Sequence, residues 1–546
     1  MKGALKMKVS EAIVKVLEME NVKTVFGYPG GAVLPLYEAL RNSDIEHILV
    51  RNEQSAAHCA SGYARAAQQT GVCIGTSGPG ATNLITGIAT AYMDSIPMVI
   101  ITGQVRKELI GKDAFQEADI TGATEPFTKH NYLVKDPQDI PRILTEAFYI
   151  ASTGRPGPVL VDIPKDVQME KINFDYPGKV DILGYKPTTN GHSGQIKKVI
   201  QKLKKAKRPI IYAGGGIIRA NATAELKKFA EKGKIPVINS LMGLGSFPMD
   251  SPYYVGMLGS HGHNYACDIM KGADLLVIVG ARMSDRAIHN FGTLDPETEV
   301  VHIDIDPAEI GKIFTHNIPV VGDAKNILKK MGEKIVALDT TEWMKKIDNI
   351  KSFVVETYSL EESETINPKI ALRLLSDKVA EDTIVTADVG QNQIWAAKNF
   401  KYSGTRKYFT SGGLGTMGYS LPAAIGAKMA APDKTVIAVM GDGGIQMLLA
   451  ELGTLSESNK QVIVMLFNNS RLGMVRELQD NNYGKGRNHG VEFGLNPDFV
   501  KVGEAYGIPS RRVSSNAELE AVYEEALKCE KAFLIECIVD PTFGTL

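Results

Sequence analysis

A single carboxylate set among glycines, Gly441-Asp442-Gly443-Gly444, follows directly on the apolar run Thr435-Val-Ile-Ala-Val-Met440. In open α/β sheets, ligands bind at the C-terminal edge of the strands, and glycines let backbone N–H groups come close to phosphate oxygens. A lone Asp at that edge suits a divalent cation held against phosphates. Taken alone, the stretch is equally an ordinary strand-to-helix turn. A second apolar run, Val462-Ile-Val-Met-Leu-Phe467, ends on Asn468-Asn469. The segment between reads as one helix, Gln446 to about Ser458, burying Met447, Leu448, Leu449, Leu452 and Leu455. Asp442 and Asn469 are therefore expected at the C-terminal ends of adjacent parallel strands, within reach of one Mg²⁺. That ion wants a near-octahedral oxygen shell and keeps substrate phosphates in it. The Asp442 carboxylate, the Asn469 amide oxygen, a backbone carbonyl near Arg471 and two phosphate oxygens meet the demand. The helix start at Gly443-Gly444 adds its dipole.

The elements that must position such a site are legible as β-rich runs alternating with helical patterns, the mark of parallel sheets covered by helices. Strands are expected near Thr24–Phe26, His47–Val50, Val72–Thr76 and Met98–Ile101, then Pro209–Tyr212, Pro236–Asn239, Ala273–Val279 and Val300–Ile305. The last block has Thr383–Ala387, Thr435–Met440 and Gln461–Phe467. Polar stretches, Phe174 to Gln195 and Lys345 to Pro368, separate the blocks. The expectation is an α/β chain of three doubly wound, mainly parallel-sheet domains in series, at 1–172, 190–345 and 365–546.

The 546 residues suit that number of domains. With 61 basic and 62 acidic residues the net charge is −1, which offers nothing to nucleic acid or an anionic membrane surface. No apolar run is long enough to span a bilayer. The five cysteines, Cys59, Cys73, Cys267, Cys529 and Cys537, are scattered and odd in number. They form neither a disulfide framework nor a zinc motif. The N-terminus, MKGALKMKVSEAIVK, passes straight into an amphipathic helix without a signal-peptide core. A reducing, cytoplasmic compartment is the expectation.

GDG followed by NN at this distance resembles the signature of thiamine-diphosphate (ThDP) enzymes. "FGYPGGAVLPLYEAL", "RNEQSAAHCASGYAR", "TSGPGATNLITGIATAYMDSIPMVIITGQV" and "TKHNYLV" are together similar to the acetohydroxyacid (acetolactate) synthase family. So are "GRPGPVLVDIPKDV", "LMGLGSFP", "VGARMSDR", "HIDIDPAEIGK" and "GGLGTMGYSLPAAIGAK", and the likeness runs nearly the whole chain.

That resemblance implies the site. Glu53 takes the place of the carboxylate that donates to the cofactor's aminopyrimidine ring, an acid–base role relayed through the cofactor; on its own it reads first as a helix-start glutamate facing the macrodipole, since such glutamates are common. Asp442 and Asn469, with Arg471, fall on the Mg²⁺ positions, and Gly441, Gly443, Gly444, Gly390 and Gln391 on the diphosphate positions. Met417 in "GLGTMG" matches the apolar wedge that bends the cofactor, and Met474 in "LGMV" matches a further cofactor contact. Gly31 and Gln116 match positions near the reacting carbons. Arg155, Gly214, Gly215, Gly216, Arg282, Asp304 and Asp323 fall on stretches that bind a non-redox FAD in biosynthetic members. Arg286, Met257 and Leu478 fall on the acceptor pocket.

The implied reaction decarboxylates one pyruvate and joins the two-carbon fragment to a second 2-keto acid, pyruvate or 2-ketobutyrate, giving 2-acetolactate and CO₂ in the first case. A homodimer or homotetramer with active sites between subunits is implied, with a small regulatory subunit as an open question. Another ThDP-dependent 2-keto-acid decarboxylase or oxidase is the alternative, and a non-catalytic nucleotide-binding paralogue a more distant one. The chain departs from the family at Asn52 and Asn392, where His is usual, at Met283-Ser284 in place of Phe-Asp, and at Leu478 in place of Trp. "GVEFG" at 490–494 is closer to the catabolic, FAD-free members.

Overall fold

The computed structural model describes residues 5–287, 294–314, 317–352, 365–402 and 406–545. Residues 1–4 of the first expected block and 353–364 of the second polar stretch lie outside them.

Three six-stranded sheets follow one another, each with all its pairings parallel. Their inner strands are apolar runs buried on both faces. Every residue of Met98–Gln104 and of Ile463–Asn468 is buried, as sheets covered on both sides by helices require. In the first sheet the spatial order is Glu46–Leu49, Thr24–Gly27, Gly71–Gly75, Met98–Gln104, Pro158–Pro164, His130–Leu133. The third repeats this winding with Lys407–Thr410, Ile384–Ala387, Val436–Gly441, Ile463–Asn468, Phe533–Ile538 and Ser510–Val513. The middle sheet is wound differently: Tyr254–Met257, Val237–Asn239, Pro209–Ala213, Leu275–Val279, Glu299–Asp304, Asn317–Val321. Numbered along the chain that order is 3-2-1-4-5-6, the arrangement of dinucleotide-binding sheets. A short antiparallel pair, Leu5–Lys8 with Lys171–Phe174, ties the start of the first unit to its end.

The eleven expected strands are present, with ends shifted by one or two residues, or by three at Met98–Gln104. The expected single helix after Asp442 is corrected: the chain forms two, Asp442–Met447 and Glu451–Ser458, with a break between. Met447, read as buried, is 57% exposed, because the first short helix turns that side chain away from the core. The helix Thr341–Ser352 also carries regular structure into what reads as polar linker.

The first and third units share one apolar core through two helices that cross at glycine, Glu53–Ala67 and Ser420–Ala430. A Cβ on Gly426 would lie 1.8 Å from the Cys59 carbonyl oxygen, and one on Gly62 would lie 2.0 Å from that of Ala423. Neither contact can relax by rotating a side chain. Gly426→Ala is therefore expected to destabilise the protein by about 1–3 kcal/mol, the usual cost of overpacking. Gly332→Ala, in the helix Ala324–Lys334 with nothing within 4 Å of its would-be Cβ, is expected to leave stability unchanged or slightly raised. Thermal melts of the two variants against wild type check the contrast.

All five cysteines are unpaired, and no His/Cys/Asp/Glu metal cluster occurs among the described residues. No helix among them is long and apolar enough to cross a membrane.

Candidate active site

In the third sheet the winding reverses between Ile384–Ala387 and Val436–Gly441, the switch point where open α/β sheets bind ligands. Both strands run out into glycine there, at Gly390 and Gly441. Gly390 has φ 141°, a conformation that side chains other than glycine's rarely adopt. The Asp442 carboxylate follows, 2% exposed, and burial pushes its pKa up to about 6. Val436–Gly441 pairs directly with Ile463–Asn468, so Asp442 and Asn469 leave adjacent strand ends side by side.

Hydrogen bonding separates the two asparagines. Asn468 is tied into the fold: its Nδ2 donates to Glu536 at 2.8 Å, and its Oδ1 accepts from the Ser470 N–H at 3.1 Å and from Asn496 Nδ2 at 3.0 Å. Asn469 donates to Gln391 Oε1 at 3.0 Å, while its own Oδ1 accepts only a long contact of 3.3 Å from the Arg471 N–H. The second asparagine thus keeps an oxygen for a cation. Arg471 sits in an isolated bridge with Glu492 that uses the Leu472 N–H and the Ser470 carbonyl, not the Arg471 carbonyl. Its guanidinium lies 3.3 Å from the Glu492 carboxylate.

Bare backbone surrounds this pair. A Cβ on Gly444 would meet Asp388 Oδ2 at 2.2 Å; one on Gly443 would lie 2.8 Å from Leu472 and 3.4 Å from Met417 Cε. Met417 is half-buried beside the glycine turn. Asp388 is fully buried, bonded through Oδ1 and Oδ2 to the Gly418 N–H, and its pKa is pushed up to about 7 by burial. Asn392 donates to the Asp388 carbonyl and lies against Gly390 and Gly441.

Three of these residues are invisible to sequence reasoning. Asn496 Nδ2 donates to Asp442 Oδ2 at 2.7 Å, and Gln446 connects the same Asn496 to the Asp442 carbonyl. Glu477 accepts from Gln391 Nε2 at 3.1 Å. No local pattern marks Asn496 or Glu477, because each meets its partner across tens of residues of chain; Gln446 reaches the Asp442 carbonyl from four residues on, but its link to Asn496 spans fifty.

The first sheet presents a second cluster at its own C-terminal edge. Glu53 is the first residue of its helix, whose N-cap Asn52 accepts from the Gln54 N–H. The Glu53 carboxylate is 8% exposed and accepts from Asn83 Nδ2 at 2.9 Å. Its Oε1 lies 3.1 Å from where a Gly80 Cβ would be, and Gly80 and Gly30 both press on Thr76. Gly31, beside Gly30, faces open space. Gln116 has φ 59° and packs over Gly78. Glu53, Gly31 and Gln116 therefore share one edge of one sheet.

A cavity of about 860 Å³ opens between the middle unit and the other two. Arg155, Gly215, Gly216, Arg282, Asp304 and Asp323 line it, and so do Met257, Arg286, Met474 and Leu478. Gly214 does not: its Cβ would strike the Gly280 carbonyl oxygen at 2.2 Å, so its glycine serves the packing of the two switch-point turns. Arg155 is engaged by Glu309 at 2.7 Å and Asp306 at 3.3 Å. Asp323 caps the helix Ala324–Lys334 through the Asn326 N–H. Burial lifts the Asp304 carboxyl to about 6. The Arg286 side chain is 70% exposed, with only a 3.8 Å approach to Asp285.

Three sheets in series, with glycine-bared backbone and an Asp–Asn pair at the switch point of the third, define a thiamine pyrophosphate enzyme. The N-terminal TPP binding domain, central domain and C-terminal TPP binding domain of those enzymes match residues 7–123, 196–331 and 388–537. The chain is 47% identical to a probable acetolactate synthase large subunit of Methanocaldococcus jannaschii, over 98% of its own length and 92% of the relative's. It is 45% identical to the acetolactate synthase large subunit of Corynebacterium glutamicum, over 98% and 87%, and 46% to the isozyme 3 large subunit of Escherichia coli, over 95% and 92%. The chain belongs to the acetolactate synthase family.

Proposed function

We infer that the chain decarboxylates pyruvate and condenses the remaining two-carbon unit with a second pyruvate, releasing CO₂ and 2-acetolactate. The observation that carries this is the pairing of the buried Asp442 carboxylate with the Asn469 oxygen, held only by a long contact to the Arg471 N–H, above bare backbone, in a chain similar to acetolactate synthases along nearly its full length. The residues present fit Mg²⁺: an anionic oxygen, an amide oxygen and an uncommitted carbonyl at Arg471 are an oxygen-only donor set. Gly441, Gly443, Gly444, Gly390 and Gln391 would hold the diphosphate, Met417 would press between the two rings, and Met474 would contact the cofactor from the cavity side.

Thiamine diphosphate supplies a carbon nucleophile once its thiazolium C–H has lost a proton. Glu53 holds the proton that drives this loss, at a pyrimidine ring nitrogen; its burial keeps water from competing for the carboxylate, and Asn83 fixes one of its oxygens. Gly31 leaves room for the reacting carbons, and Gln116 offers its amide to them. Arg286 holds the acceptor's carboxylate in a bidentate contact, with Met257 and Leu478 along its alkyl group. Large exposed apolar side chains flank both half-sites, Leu34 and Phe115 at 54% and 89% on the first unit and Leu495 at 91% on the third. They support a homodimer, or a dimer of dimers, in which Glu53 of one subunit serves Asp442 of the other. The relatives' names as large subunits support a small regulatory partner.

FAD, without a redox part, is the occupant we propose for the cavity. Its support is the dinucleotide-type winding of the middle sheet and the Arg155, Arg282, Asp304 and Asp323 lining. The test of the whole reading is pyruvate turnover by the purified chain with ThDP and Mg²⁺, with flavin read from the denatured protein. Acetolactate is the expected product; acetaldehyde instead would identify a decarboxylase.

Leu478 sets the acceptor preference on this reading. It lines the cavity with 45% of its surface exposed, where a Trp would present a flat face to the extra methyl of 2-ketobutyrate. A methylene's worth of contact is about 1–3 kcal/mol. Leu478→Trp is therefore expected to raise the preference for 2-ketobutyrate over pyruvate several-fold, with donor decarboxylation unchanged. Competition between the two acceptors at fixed pyruvate, both products quantified, measures it.

A further inference from the structure

The turn that delivers Glu53 is held by a residue of a different unit. Glu451, at the start of the helix Glu451–Ser458, is fully buried. Its Oε1 accepts both the Arg51 N–H at 2.9 Å and the Asn52 N–H at 3.0 Å, the two donors immediately before Glu53. Its Oε2 accepts from the Thr454 hydroxyl at 2.7 Å. The same helix grips the turn twice more: Glu457 pairs with the Arg51 guanidinium at 2.7 Å, and the Thr454 hydroxyl also reaches the Leu49 carbonyl at 3.3 Å.

These bonds exceed what packing alone calls for. The Arg51 and Asn52 N–H groups lie at the open N-terminal end of the Glu53–Ala67 helix, where no partner within the helix exists. A charged acceptor for both fixes the helix start in position and orientation together. Glu53 is the next residue, with no further rotatable backbone than its own. A carboxylate nine positions after Asp442 therefore sets where the first unit's carboxylate stands; in the dimer inferred above, one short stretch of the third unit serves the cation of one site and the acid–base carboxylate of the other.

We propose that Glu451 is a positioning residue for Glu53: by holding the Arg51 and Asn52 N–H groups, it places the Glu53 carboxylate for proton transfer. This rests on the acid–base role of Glu53 inferred above.

The test is a double-mutant cycle on the full-length holoenzyme, reading turnover, KM for pyruvate and the rate of deuterium exchange at the thiazolium C2 of the bound cofactor. Misplacing a catalytic group by about an ångström costs on the order of 10²-fold. Glu451→Asp, which keeps the charge but withdraws it by one methylene, is expected to slow exchange and kcat by about 10- to 100-fold with little change in KM. Glu451→Gln, whose Oε1 can accept the same two N–H groups, is expected to retain most of the rate. In a Glu53→Gln background, Glu451→Asp is expected to add nothing, because both changes act on one group. Wild-type exchange in Glu451→Asp, a greater loss in Glu451→Gln than in Glu451→Asp, or full additivity with Glu53→Gln would each overturn the proposal. A Glu53→Gln enzyme with normal exchange would instead remove the Glu53 reading on which it stands.

Discussion

Glu53→Gln is expected to lower acetolactate formation by about 10² or more, the scale of a lost acid–base partner. Glutamine preserves the volume of the side chain, and its amide can still meet Asn83, which holds Glu53 at 2.9 Å. The helix start is unaffected, since the N-cap bond comes from Asn52 and not from Glu53. What is lost is a proton that can shift between a carboxyl oxygen and a ring nitrogen. Cofactor affinity is expected to change little, because its anchor is the diphosphate end on another unit. The measurement is steady-state turnover at saturating ThDP and Mg²⁺, with bound cofactor quantified in the same preparation. Near wild-type turnover with full occupancy would strip Glu53 of its role.

The parts of this molecule that the sequence discloses are those whose partners are near in the chain. Asp442 and Asn469 follow adjacent strands joined by one short crossover, so apolar runs alone bring them together. The outer strands are another matter. His130–Leu133, Tyr254–Met257, Asn317–Val321, Lys407–Thr410 and Ser510–Val513 all lie at sheet edges and escape the reading. Two of them are covered less completely, so their sequence need not be a continuous apolar run: no residue of His130–Leu133 is buried, and Ser510–Val513 exposes both of its central arginines. Tyr254–Met257 and Lys407–Thr410 are buried at nearly every residue but are only four residues long. Pro158–Pro164 and Phe533–Ile538 are inner strands, masked for a different reason. Each carries a buried carboxylate in its middle, Asp162 and Glu536, both 1% exposed. Asp162 is satisfied by Thr102 at 2.7 Å and Gln104 at 2.9 Å. Glu536 is satisfied by Asn468 and Arg512, each at 2.8 Å. Such charges break the pattern in one strand and are explained only by another.

The site divides in the same way. Glycines that strip the backbone for a phosphate leave a trace in sequence, and the Asp–Asn spacing leaves another. Asn496, Asp388 and Glu451 leave none, since each is an ordinary polar residue until its partner arrives from elsewhere in the chain. The broken helix after Asp442 belongs with them. Its apolar spacing is continuous, but Glu451 must begin a fresh helix for its carboxylate to reach the Arg51 and Asn52 N–H groups.

Asp442→Ala is expected to weaken Mg²⁺ and ThDP together, each by about 10-fold or more in apparent affinity, because each ligand binds largely through the other. The remaining oxygens, from Asn469 and from backbone near Arg471, are neutral, and they would face a cation whose only anionic ligand is then the diphosphate. The fold itself is expected to tolerate the change. Asn496 Nδ2 loses its 2.7 Å bond to Asp442 but keeps Asn468 Oδ1 at 3.0 Å, and the Ser470 N–H, which also faces the carboxylate, keeps Asn468 Oδ1 at 3.1 Å; the Gly443 N–H at the helix start gives up its carboxylate contact. Burial also pushes the Asp442 carboxyl up to about 6, so its removal lifts a desolvation penalty from the protein without metal. Melting temperature without Mg²⁺ should therefore match or exceed that of wild type, while the stabilisation conferred by adding ThDP and Mg²⁺ together should shrink. Titrating each ligand at a fixed excess of the other separates the outcomes. If only the metal weakens, the diphosphate is anchored by the glycine backbone alone; if neither does, Asp442 does not face the cation.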